Sequence, residues 1–118
     1  ISRIATLKED TRDLTAIMEK IGKLCEDVHK RLLQKNLGFK VVTAMAVMKD
    51  MTVRSRSETF ESPTTHLETL REAAKGLFQR LIDDTELEIR RAGIKVSRFS
   101  HGPEQQKHLT DFVRSPKA

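Results

Sequence analysis

Apolar residues recur along the chain with two different periods, and the switches between them set the order of elements. Ile1 to Leu7, "ISRIATL", is short, partly β-branched and alternating, which predicts a strand. The polar segment "KEDTRD" follows, with Asp10 or Thr11 available as an N-cap and acidic residues suited to the positive end of a helix dipole. Leu14, Ile17, Met18, Ile21, Leu24, Cys25, Val28, Leu32 and Leu33 then recur at spacings of three and four. They form the apolar stripe of a long helix ending near Asn36 and Gly38. Phe39 to Met48 and Met51 to Phe60 are two β-rich runs separated by Lys49-Asp50, a gap that only an antiparallel hairpin can close. Pro63 is expected to stop the second run, and Thr65 with Glu68 fits a capping box for the next helix. Leu67, Leu70, Ala73, Ala74, Leu77, Phe78, Leu81 and Ile82 make its stripe. A last strand covers roughly Ile89 to Phe99, with Ala92, Ile94 and Val96 facing one way and Arg91, Gly93, Lys95 and Ser97 the other.

The order β-α-β-β-α-β predicts an α+β fold: a four-stranded, antiparallel-containing sheet with two amphipathic helices on one face and the other face open. Residues 1–100 are expected to form this domain and residues 101–118 a flexible tail. The register of the hairpin decides what the open face carries. An even-length loop puts Val42, Ala44, Ala46 and Met48 on one face with Met51, Val53, Ser55 and Ser57, and puts Thr43, Met45, Arg54 and Arg56 on the other. A three-residue loop exchanges the faces of one strand against the other. Lys-Asp lacks the glycine that two-residue turns favour.

Charge sharpens the picture. The formal net charge is +5, and it is not spread evenly. Lys8 to Lys35 holds seven basic and six acidic residues, and Thr65 to Glu86 holds three basic and five acidic, so the helical regions are nearly neutral together. The last strand carries Arg90, Arg91, Lys95 and Arg98 against Glu88, and the hairpin adds Lys40, Lys49, Arg54 and Arg56 against Asp50 and Glu58. A basic sheet opposite a neutral helical layer suits a polyanion whose backbone it can track.

Other classes find less support. Hydrophobic residues are 37% and charged residues 33% of the 118-residue chain, which fits one folded domain and argues against disorder. No apolar run approaches the roughly 20 residues that span a bilayer, and no signal peptide is visible, so a soluble, intracellular protein without a membrane partner is expected. The first residue is not methionine, which suggests a piece of a longer protein. The single cysteine, Cys25, lies in a helix stripe, where a buried, inert thiol is expected. His29, His66, His101 and His108 are scattered, Asp83-Asp84 reads as a solvated helix boundary, and no glycine-rich phosphate loop occurs. No catalytic set, metal site or cofactor is therefore assigned to this chain. With no Trp or Tyr and dispersed phenylalanines, stacking on single-stranded bases is disfavoured against backbone binding to duplex.

The hairpin "VVTAMAVMKDMTVRSRSETF" and the closing strand "IRRAGIKVSRF", with helices between, resemble the little-finger domain of Y-family translesion DNA polymerases of the DNA polymerase IV and kappa type, in an archaeal-like form. The resemblance runs from "ISRIATL" to the tail, with Ser2 departing from a common glycine. It implies the little-finger fold and a non-catalytic, DNA-binding role that grips primer–template duplex by its backbone on both sides of the major groove. The parent would be a DNA-directed DNA polymerase in the cytoplasm or nucleus, with magnesium in a palm domain absent here. Carried over residue by residue, Arg54, Arg56, Arg91 and Lys95 are the leading DNA-contact candidates. Ser55 and Ser57 are weaker, because an even loop turns them inward, and Arg90 and Arg98 have the opposite parity from Arg91 and are expected to reach the rim instead.

The tail "QKHLTDFV" spaces Gln106, Leu109, Phe112 and Val113 like a sliding-clamp-binding motif of the PCNA-binding kind, with Val113 in place of the second aromatic. Two other classes stay open. A basic protein-interaction module would meet an acidic protein surface, and an RNA-binding domain would prefer single strands or hairpins.

Overall fold

The computed structural model describes residues 1–101, and the expected tail with its clamp motif lies outside them. The elements are β1 (Ser2–Thr11), α1 (Leu14–Lys35), β2 (Leu37–Met48), β3 (Val53–Thr64), α2 (Leu67–Asp83) and β4 (Ile89–His101). This is the predicted order, and the sheet is antiparallel throughout, in the spatial order β1-β4-β2-β3. The closing strand β4 thus lies between β1 and β2, leaving β1 and β3 as edges.

Both helices lie on one face. Ile17, Ile21, Cys25, Val28 and Leu32 of α1 and Leu70, Ala73, Ala74, Leu77, Phe78, Leu81 and Ile82 of α2 are buried. They pack over Val42, Ala44, Ala46 and Met48 of β2 and Ala92, Ile94 and Val96 of β4, which are 0% exposed. Burial is worth about 1.5–3 kcal/mol for each of the Val, Leu, Ile, Phe and Met side chains among them, and it fixes which face of each strand turns inward. Leu33, assigned to the first stripe, is 60% exposed: the stripe is narrower at the last turn, where Leu32 alone reaches the sheet.

Three boundaries differ from expectation. β1 runs on to Thr11 through an irregularity between Thr6 and Thr11. The cap therefore falls to Asp13, whose Oδ1 accepts from the Thr15 N–H at 3.0 Å, while the Thr11 hydroxyl accepts from the Asp13 N–H at 2.9 Å. Pro63 does not end β3. That strand is an edge, where a missing N–H can face solvent, and its register against β2 shifts between Phe39 and Val41 to take up the extra residues. The Thr65–Glu68 capping box does not form, because α2 begins one residue later. His66 is the N-cap without a side-chain bond, and its N–H donates to the Thr64 hydroxyl at 3.2 Å. At the other end of α1, Asn36 takes a left-handed φ of 54° and its N–H returns to the carbonyls of Leu32 and Leu33.

Candidate nucleic-acid interface

The hairpin closes with Val47 opposite Val53, the Met48 N–H donating to the Thr52 carbonyl at 2.8 Å and the Met51 N–H donating to the Met48 carbonyl at 2.8 Å. Lys49, Asp50 and Met51 are thus a three-residue loop, not an even one. Its third residue takes the left-handed conformation, Met51 at φ 72°, as such loops require. Asp50 holds the turn: its Oδ1 accepts from the Thr52 N–H at 3.0 Å and from the Thr52 hydroxyl at 2.6 Å. Those bonds draw the Asp50 carboxyl below its ordinary pKa.

An odd loop exchanges the faces. Arg56 pairs with Ala44 and Arg54 with Ala46, so both arginines have the parity of the helix-covered side. This corrects the expectation that they share the open face with Thr43 and Met45. Arg56 is ion-paired there with Asp84 at the end of α2. Ser55 and Ser57, expected to turn inward, instead stand opposite Met45 and Thr43 on the open face.

Three cross-strand rows, read β1-β4-β2-β3, make up the centre of that face. The first is Thr6, Arg91, Val47 and Val53; the second is Ile4, Gly93, Met45 and Ser55; the third is Ser2, Lys95, Thr43 and Ser57. No helix covers them and none of these residues is acidic. Arg91 and Lys95 are exposed, and no ion pair among the described residues engages either. Gly93 is buried because Ile4 leans across it; a Cβ there would sit 2.9 Å from the Arg3 carbonyl oxygen and 3.2 Å from Ile4 Cβ. Thr43 and Ser57 exchange a hydroxyl–hydroxyl bond of 2.8 Å. The face is therefore cationic on β4 and otherwise built of hydroxyls and short apolar side chains. It is less densely basic than the sequence census implied.

The remaining candidates separate. Arg90 falls at the irregularity between the pairs Val47–Arg91 and Met48–Ile89, where strand alternation is broken, and it donates from Nε and Nη2 to the two carboxylate oxygens of Asp10 at 3.3 and 3.2 Å, with Nη1 3.3 Å from the Met51 sulfur. The Asp10 hydrogen bonds and charge push its guanidinium pKa further up. Arg98 adopts a left-handed φ of 57°, which interrupts the extended backbone between Ser97 and Phe99. Gln106, Leu109, Phe112 and Val113 lie outside the described residues. Burial pushes the Cys25 thiol up to about 11, so at neutral pH it is a protonated, inert core group. Asp84 is held by Arg56, and Asp83 accepts from Gln79 at 2.9 Å. Among the described residues no cluster of three His, Cys, Asp or Glu side chains could hold a metal, and no helix is long and apolar enough to cross a membrane.

The sequence reading placed Thr43 on the open face but named neither it nor Ser2 as a candidate. Their strand period was visible, but the partner of Thr43 depends on the register that the loop sets, and that of Ser2 on the pairing of β1 with β4.

The family model for the impB/mucB/samB family C-terminal domain matches residues 1–109. DNA polymerase IV of Nitrosopumilus maritimus is 32% identical over 110 residues, which are 93% of this chain and 30% of that relative. The chain thus spans about a third of the length of the curated relatives it matches. Among solved structures, a Y-family DNA polymerase chimera superposes with a TM-score of 0.79 at 22% identity, covering 86% of this chain and 28% of that one. The little finger domain in a complex of beta-clamp processivity factor and little finger domain of PolIV gives 0.65 at 16% identity, covering 82% of this chain and 86% of that one. These structural likenesses speak for the fold, the same two helices on a four-stranded sheet. The chain belongs to the impB/mucB/samB C-terminal domain family, the little-finger domain of Y-family DNA polymerases.

Proposed function

We propose that this domain grips the duplex of a primer–template by its sugar–phosphate backbone, through the open face of the sheet. The observation that carries the reading is the pair Arg91 and Lys95: exposed, outside every ion pair among the described residues, and set in cross-strand rows without an acidic residue. Four residues of strand separate their Cα atoms by about 13 Å. That is close to the roughly 12 Å width of the B-DNA major groove, so one cation can serve each flank. Contacts of this kind position a duplex without reading its sequence, which suits an enzyme that must hold any template, damaged or not. Ser55 and Ser57 join this face, whereas Arg54, Arg56, Arg90 and Arg98 serve it at most from its rim.

The parent chain is, on this reading, a DNA-directed DNA polymerase of the translesion kind, acting in DNA repair and replication in the cytoplasm, at the nucleoid, or in a nucleus. Its magnesium would be held by carboxylates of a palm domain, as the resemblance to Y-family polymerases implies. The test is fluorescence anisotropy of a labelled non-specific duplex over a salt series. Alanine at both Arg91 and Lys95 should flatten the plot of log affinity against log salt by about 1.8, since each lost phosphate contact removes about 0.9. An unchanged slope overturns the assignment. Competition by single-stranded RNA stronger than by duplex DNA would favour an RNA-binding role instead, and indifference to duplex DNA would favour a protein-interaction module.

The tail adds a second partner. Gln106, Leu109, Phe112 and Val113 are proposed to dock on a sliding clamp, the class of partner named with the little finger domain of PolIV. A pull-down on a PCNA-type clamp should lose binding with Phe112→Ala; full retention would mean that the motif is accidental.

A further inference from the structure

We infer that Thr43 and Ser57 form a paired hydroxyl site that, beside Lys95, receives a phosphodiester oxygen of the bound backbone. The inference rests on the duplex reading above but goes beyond it, because Arg91 and Lys95 satisfy that reading and neither hydroxyl is needed for it.

The register brings Ser2, Lys95, Thr43 and Ser57 into one line across all four strands. Three inter-strand spacings make this line about 14 Å long, running across the strands where the side chains of Arg91 and Lys95 mark the strand direction. Within it Thr43 Oγ1 and Ser57 Oγ stand 2.8 Å apart. Two hydroxyls hold two protons and the bond between them uses one. The second proton is left to donate outward, from whichever hydroxyl is the acceptor of the pair. No second side-chain partner engages either hydroxyl among the described residues. A donor fixed by its neighbour on an uncovered face, with an ammonium on the adjacent strand of the same row, is suited to a singly charged, acceptor-only oxygen. The neighbouring row, Ile4, Gly93, Met45 and Ser55, is apolar on three of its four strands. That apolar part suits the sugar edge that follows a phosphate, with the Ser55 hydroxyl as the one polar side chain in the row. The chemistry selected is thus a phosphodiester backbone, in one defined line on the sheet.

A neutral hydroxyl releases no counterion, and this separates it from the cations. Thr43→Val with Ser57→Ala removes both hydroxyls while keeping side chains that a strand accepts. On the full 118-residue chain, with a labelled DNA duplex as probe, this double variant should bind about tenfold more weakly at fixed salt, as for a lost hydrogen bond to a charged group. Its salt slope should be that of the wild type, while Lys95→Ala flattens the slope by about 0.9. Thermal unfolding of the double variant should match the wild type, so that weaker binding is not lost folding. If the double variant binds as well as the wild type while Lys95→Ala flattens the slope, the hydroxyl site is overturned and the duplex reading stands. If neither variant changes binding, the duplex reading fails and the hydroxyl site with it. If the double variant melts early, Thr43→Ser, which restores a hydroxyl, must recover both stability and affinity; recovery of stability alone overturns the site.

Discussion

Gly93 sits in the middle of the open face with no room for a side chain, since the position of a Cβ is closed by the Arg3 carbonyl oxygen at 2.9 Å and by Ile4. The obstacle is backbone of the neighbouring strand, which cannot swing aside as the end of a flexible side chain can. Gly93→Ala is therefore expected to destabilise by about 1–3 kcal/mol, the range for forced overpacking. Gly76, in the exposed middle of α2, has nothing within 4 Å of a Cβ, so Gly76→Ala should stabilise by about 0.5–1 kcal/mol. Urea midpoints moving in opposite directions would bear this out; equal shifts would contradict the packing at Gly93. At this scale the sequence was informative about spacing and silent about neighbours. That Arg54 and Arg56 share a face follows from their two-residue spacing alone. Which face they share turns on Met51 taking a left-handed φ of 72°, and methionine carries no preference for that conformation.

The elements show the same division. Both helical stripes were legible because burial on one face imposes a 3.6-residue period, and Ile17 to Leu32 and Leu70 to Ile82 are buried as that period requires. Their starts were less so, because several Asp and Thr residues compete for the cap and local spacing does not rank them. In "KEDTRD" the sequence reading pointed to Asp10 or Thr11 and passed over Asp13, and the decision came from β1 persisting to Thr11 beside β4. Once β1 holds Asp10, that side chain meets Arg90 instead of a helix end. Asp13→Ala should accordingly cost about 1 kcal/mol of stability, the usual value of an N-cap, measured by urea denaturation. Thr65→Ala should fall within about 0.5 kcal/mol of the wild type, as for a surface site without such a bond. A larger loss at Thr65 than at Asp13 would restore the capping box that the structure lacks.

On the scale of the whole domain, the layers divide the charge by tying some cations down and leaving others free. Arg71 joins Glu26 of α1 and Glu68 of α2, Lys49 meets Glu88 at 3.5 Å, Arg56 meets Asp84, and Arg90 meets Asp10. These pairs are at least partly exposed, so each is worth little to stability, but each also offsets a positive charge locally. A cation already facing a carboxylate attracts a phosphate less than one facing only hydroxyls, and it condenses fewer exchangeable anions of its own. Counting arginines along the strands therefore overstates the open face, whereas counting those without a carboxylate partner on that face leaves Arg91 and Lys95. The two pairs of cations, Arg91 with Lys95 and Arg54 with Arg56, make the comparison direct. Alanine at Arg91 and Lys95 should flatten the salt dependence of duplex binding by about 1.8, and alanine at Arg54 and Arg56 by less than half as much. Arg54 stands at the edge strand on the helix side and Arg56 is held toward Asp84, so neither faces the rows that Arg91 and Lys95 occupy. If the hairpin pair flattened the slope as much as the β4 pair, the duplex would have to wrap the β3 edge, and the interface would be the rim of the sheet rather than its open face.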